Sequence, residues 1–183
     1  MGGCGRPLQN NKSEQANKAP AASENNNSLI FNNFNAVLEN SNDFYSVDTK
    51  GKVYLKDFLI NEQIYGTTLK INHFTIIDID SDKIPEIVLE LSDPGAYPVC
   101  YEVLHYMNSE VYGYNIVYRG LQNLKEDGTF IYSSGASDNG CGKLNFASNE
   151  YKTIPLGDSK LNEGKKDVTW YEFSKDNIKA VLS

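Results

Sequence analysis

Thr68-Leu69-Lys70-Ile71-Asn72-His73-Phe74-Thr75-Ile76-Ile77-Asp78-Ile79-Asp80-Ser81-Asp82-Lys83-Ile84-Pro85-Glu86-Ile87-Val88-Leu89-Glu90-Leu91 is the stretch that decides the fold. Its two arms are rich in Ile, Val, Phe and Thr, the side chains that fit a pleated surface. Between them the acidic centre is too short to hold a helix, so the chain must reverse there. The expectation is a pair of antiparallel strands, Thr68 to Ile79 and Ile84 to Leu91, joined by a tight acidic turn.

Working outward from that hairpin, the downstream chain keeps the same character. Pro98 to Met107, Val111 to Tyr118, Thr129 to Ser133, Lys143 to Ala147, Tyr151 to Pro155 and Val168 to Phe173 all read as strands. Short polar turns join most of them, at Asn108-Ser109-Glu110, Glu126-Asp127-Gly128 and Ser137-Asp138-Asn139-Gly140, and such connections favour antiparallel neighbours. Asp158 to Lys166 reads as a loop. At the C-terminal end Ser174 is a helix N-cap, followed by a helix to Leu182 with Ile178, Val181 and Leu182 on one face. Upstream, Ile30, Phe34, Val37 and Leu38 recur at helical spacing, which predicts an amphipathic helix over 28–41. Asp48-Thr49-Lys50-Gly51 is a turn, and Val53 to Ile60 suits a short strand running into one helical turn. The fold class is therefore α+β: an antiparallel meander of about seven or eight strands flanked by an N-terminal and a C-terminal helix, a single domain over 28–183.

The first 27 residues carry hardly any apolar side chain after Leu8 and read as a disordered tether. At its head Met1-Gly2-Gly3-Cys4-Gly5 resembles the end of a bacterial lipoprotein signal, in which small residues precede a Cys that receives diacylglycerol. That resemblance implies lipidation at Cys4, an extracellular location and a membrane lipid anchor. Gly2 myristoylation is the rival, but its pattern wants Ser or Thr where Arg6 stands. A chain of 183 residues with a formal charge of −7 is long enough for a real core and is a poor partner for nucleic acid. No stretch approaches the length of a membrane span.

The acidic turn carries the chemistry. Calcium takes six to eight oxygens, and Asp78, Asp80 and Asp82 at positions 1, 3 and 5 can aim several carboxylates at one point. Ile84 at position 7 can add a backbone carbonyl, and Glu86 at position 9 can close the shell. An EF-hand would need its bidentate Glu at position 12, where Leu89 stands. Without a cation these carboxylates would repel one another, so a bound Ca2+ explains why they are clustered. Residues Asp78 to Glu86, followed by Ile87-Val88-Leu89, are similar to the D-x-D-x-D-x-x-x-[DE] calcium loop of extracellular repeats in integrin heads and bacterial surface proteins (VCBS and FG-GAP-like). Taken with Tyr101 to Asn108 and Asp127-Gly128-Thr129-Phe130, the region from Phe74 to Leu91 resembles a group of Gram-positive bacterial lipoproteins that brings no known activity. Lys83 stands where that loop usually has Gly, and must adopt a turn conformation that Gly takes at lower cost.

Other residues offer further readings. Cys100 and Cys141 could form a disulfide in an oxidising compartment, or remain two separate thiols. A Cys100/His105 nucleophile is poor, because residues five apart on a strand point to opposite faces. Tyr112, Tyr114 and Tyr118 share a strand face and could pack across strands or form a platform for a glycan or peptide. Carboxylates such as Glu90 and Glu102 could serve a secreted hydrolase. The reading that gathers most of these residues is a monomeric, non-catalytic, calcium-stabilised lipoprotein domain that binds a cell-wall, glycan or protein partner.

Overall fold

The computed structural model describes Met1, residues 21–95 and residues 97–182. Among these, ten strands form two sheets with helices on one side. The seven-stranded sheet has the order β10-β3-β4-β5-β6-β1-β2, from Tyr171–Glu172 (β10), Lys70–Ile77 (β3), Glu86–Ser92 (β4), Pro98–Met107 (β5), Glu110–Val117 (β6), Phe44–Ser46 (β1) and Gly51–Val53 (β2). The second sheet has three antiparallel strands, Phe130–Ser133 (β7), Asn139–Ala147 (β8) and Glu150–Gly157 (β9). The fold is α+β, as the sequence implies.

Strands β3 to β6 are the expected meander. The β5–β6 hairpin closes through Asn108 and Ser109, with φ of 52° and 64°, between the paired Met107 and Glu110. Both central residues are left-handed, the arrangement that matches the twist of the flanking strands. Two features depart from a single meander. Strand β1 joins β6 in parallel, with Tyr45 opposite Tyr112, and β7 to β9 leave the first sheet altogether.

That second sheet explains the sequence of β4. Ile87, Leu89 and Leu91 face one core with Phe34 and Val37 of helix α1 (Ala21–Leu38), Phe58 of α2 (Leu55–Leu59) and Ile178 of α4 (Lys175–Leu182). Val88 faces the other core, with Val103, Ile116, Phe130 and Leu144. A strand covered on both faces reads as a continuous apolar run, which is how β4 reads.

The helices follow local rules. Ile30, Phe34, Val37 and Leu38 form the buried stripe of α1. Helix α1 takes in residues 21–27, which composition assigns to the tether, and ends at Leu38 rather than 41. Ala21, Ala22 and Glu24 are good helix formers ahead of that stripe, which favours a helix longer than its periodic part. Cys4 and the rest of residues 2–20 lie outside the described residues. Ser174 caps α4 by accepting from the Asn177 N–H at 3.2 Å. A one-turn helix, α3 (Glu62–Tyr65), is capped by the Asn61 side chain and ends on left-handed Gly66; its four residues are too few to show a helical period. No helix among the described residues is long and apolar enough to cross a membrane.

Candidate metal centre

The acidic turn links β3 to β4 at the edge of the interface between the two sheets. It folds through its own side chains. Asp80 Oδ1 accepts from the Asp82 N–H at 3.1 Å, Asp82 Oδ1 from the Ile84 N–H at 2.6 Å, and Asp78 Oδ2 from the Lys83 N–H at 3.1 Å. These local bonds are the ones Asp side chains make readily in turns. They let Ser81 and Lys83 sit at φ of 70° and 75°, left-handed positions that suit Gly.

Neighbouring elements hold the turn in place. Lys143 of β8 donates to Ser81 Oγ at 2.9 Å. Gly128, with φ of 77°, lies so close that a Cβ there would sit 2.6 Å from the Ile79 carbonyl oxygen. The interior side is Glu86, fully buried at the start of β4. One of its oxygens accepts from the Ile79 N–H at 2.8 Å, and the other lies 2.7 Å from His105 Nδ1. His105 projects from β5, is 4% exposed, and stacks on Phe146 of β8 with ring centroids 4.7 Å apart.

The result is a convergence of donors. Asp78, Asp80 and Glu86 each bring a carboxylate oxygen within 4.8 Å of the others, and so do Asp80, Asp82 and a ring nitrogen of His105. Asp78 Oδ1 is buried without a hydrogen-bond partner. An orphaned carboxylate oxygen is costly to bury, and a cation would satisfy it. The cluster can hold a metal ion. Ile84 takes part in the turn through its N–H.

Electrostatics fit that use. Burial pushes the Glu86 carboxyl up to about 7, against its hydrogen bonds with His105 and the Ile79 N–H. Asp80 is raised by burial and by the charge of Asp82. Burial alone would lower His105, but its hydrogen bond and charge interaction with Glu86, with Asp80 and Asp82 behind it, raise it. The Glu86–His105 pair therefore keeps a proton to higher pH than the separated groups, and a bound cation would displace it.

No family model, curated protein or solved structure matches this chain. The site must be read from its own chemistry.

Elsewhere the structure redraws several expectations. Cys100 and Cys141 are free, buried thiols, not a disulfide. Cys100 sits on β5 facing the helix-side core, whereas Cys141 lies in the middle strand of the other sheet, so the two belong to different layers. The three tyrosines do not form one platform. Tyr114 is fully buried, packs against His105 and Phe146, and donates to the Ala147 carbonyl at 2.6 Å. Tyr112 pairs with Tyr45, while Tyr118, in the helical turn after β6, stacks on Tyr101, which also stacks on Trp170. The second sheet covers the face that the tyrosines would have presented. Glu90 and Glu102 are neighbours of paired residues on β4 and β5, Glu90 opposite Tyr101 and Leu89 opposite Glu102, so they point to opposite faces and form no acid/base pair. Glu102 is fully buried, raised well above the usual carboxylate range by burial, and its Oε1 occupies the space a side chain at Gly113 would need.

His105 is the residue the sequence reading left out of the site. The signal is register. Leu91 pairs with Cys100 and Ile87 with Leu104, and one further step places Glu86 opposite His105.

Proposed function

We propose that the turn Asp78 to Glu86 binds calcium, and that the chain is a non-catalytic, calcium-stabilised extracellular domain, lipid-anchored at Cys4, that binds a cell-envelope, glycan or protein partner. The observation that carries the calcium reading is the convergence of Asp78, Asp80 and Glu86 oxygens around an unpartnered, buried Asp78 oxygen. Asp82 and the Ile84 carbonyl would bring the donor groups to five, and a bidentate carboxylate or water would complete the six to eight oxygens calcium takes. Magnesium is disfavoured because it keeps several waters and prefers fewer carboxylates.

The location rests on Met1-Gly2-Gly3-Cys4 and on the resemblance to Gram-positive lipoproteins. Outside the cell, millimolar calcium would saturate even a weak site. One surface that could meet a partner is the cleft lined by Tyr101, Tyr118, Trp170 and Glu90, which joins aromatic rings to a carboxylate.

Thermal melting tests the metal reading. Calcium at a hundredfold excess over its Kd stabilises by about 2.7 kcal/mol, which raises the Tm of a domain this size by roughly 5–10 °C. Magnesium should do less, a chelator should reverse the shift, and Asp80→Ala should abolish it. A wild-type Tm indifferent to calcium refutes the reading.

A further inference from the structure

The donors around the turn are not all oxygen. His105 enters from β5 and brings a ring nitrogen within 4.8 Å of an Asp80 and an Asp82 carboxylate oxygen. Three contacts fix that imidazole. Glu86 holds Nδ1 at 2.7 Å and is itself held by the Ile79 N–H at 2.8 Å, Phe146 stacks on one face of the ring, and Tyr114 meets it edge-on with centroids 6.4 Å apart. With Nδ1 engaged by Glu86, Nε2 is the nitrogen left for a cation. A carboxylate that orients a histidine through one ring nitrogen while the other binds metal is the support that metal-ligating histidines almost always have.

We propose that Asp80, Asp82 and His105 form a second, mixed nitrogen–oxygen donor set that takes a borderline divalent transition cation, Zn2+ or Cu2+. This deepens the calcium reading and rests on the same loop. Asp80 belongs to both sets, so the two occupancies compete: the all-oxygen set, Asp78, Asp80 and Glu86, suits a hard cation, whereas imidazole suits zinc and its neighbours. In the nitrogen-containing mode Glu86 leaves the metal's own shell and becomes the positioning residue for His105. Three protein ligands leave coordination positions open to water or to a small ligand, as in sites where zinc does more than hold a fold together. Metal choice would then decide whether the site is closed or open.

The two sets differ in residues that can be changed one at a time. Titration calorimetry with CaCl2, ZnCl2 and CuCl2 on wild type, His105→Gln and Asp78→Asn should give a crossed pattern. His105→Gln should weaken Zn2+ and Cu2+ by roughly tenfold or more and Ca2+ far less, since it touches calcium only through Glu86, and Asp78→Asn should weaken Ca2+ the more. The chain has two histidines, and His73 is bonded to Glu90 at 2.9 Å on another part of the sheet, so His73→Gln is the matched control. Should His105→Gln fail to fold, pulsed electron paramagnetic resonance of Cu2+ on the wild type decides, because direct ligation by imidazole produces a 14N coupling. Zn2+ and Cu2+ binding that is indifferent to His105→Gln, or a Cu2+ spectrum without nitrogen coupling, overturns the proposal. Zinc binding that depends on His105 in a protein blind to calcium would support it and sink the calcium reading alone.

Discussion

The Glu86–His105 pair would make the candidate metal centre sensitive to pH in two opposed ways, and both can be measured. In the metal-free fold, Glu86 is shifted from its ordinary 4.5 to about 7. The folded state then binds more protons than the unfolded state between those values, so stability is full below about pH 4.5 and falls as pH rises to about 7. At about 1.4 kcal/mol for each tenfold change in proton affinity, the loss comes to roughly 3–4 kcal/mol. His105 and Asp80, both raised, act in the same direction.

Calcium should reverse that trend. It requires the Glu86 carboxylate ionised, so its affinity should fall about tenfold for each pH unit below 7, with close to one proton released per ion at pH 6. The assays are chemical denaturation in chelator from pH 4.5 to 8, and calorimetry of calcium binding at pH 6 in two buffers of different ionisation enthalpy. Glu86→Gln separates this group from every other carboxylate: the variant should lose most of the decline in metal-free stability and the proton release together. Calcium affinity that is flat from pH 5.5 to 8 in the wild type, or binding heats independent of buffer, would refute the placing of Glu86 in the calcium shell.

Gly128→Ala forces a side chain into a left-handed backbone position and against the Ile79 carbonyl; it should cost about 1–3 kcal/mol in urea unfolding and weaken calcium binding, because the loop that braces the turn must move. Phe34→Ala empties the centre of the helix-side core, where the ring is fully buried; the expected loss is about 3–5 kcal/mol, with calcium affinity retained. Cys100 and Cys141, free and buried, should react with Ellman's reagent only in denaturant, and a reducing agent should leave the Tm unchanged.

How much of this was legible depended on how local each signal was. The Ser174 cap, the Asn108-Ser109 hairpin and the limits of β5 follow from residues within a few positions of one another, and the structure places them where the sequence does. The division into two sheets did not follow. Thr129 to Pro155 has the same alternation and turn chemistry whether its strands extend the first sheet or stack on it, because the pattern records only that one face is covered, not by what. The apolar run Ile87-Val88-Leu89 held the missing information, since a strand without alternation is covered on both sides. The tyrosines were misplaced for the same reason: a second layer buries Tyr114 and turns a presumed surface into an interface.

The metal centre divides along the same line. Its aspartates lie within five residues of one another, so spacing alone brings them together. His105 lies nineteen positions beyond Glu86 and enters through strand pairing, which spacing does not encode. Its arrival changes the chemistry, because an all-carboxylate turn specifies a hard cation whereas an added imidazole admits a softer one. Phe146, which fixes the plane of that imidazole, comes from the second sheet, as does Lys143, which ties down Ser81. The local sequence thus supplies the charges. Pairing of β4 with β5 supplies the nitrogen, and the second sheet stacked on them supplies its orientation and part of the low-polarity surroundings that raise Glu86, the features that would bear on which ion the turn can hold and at what pH.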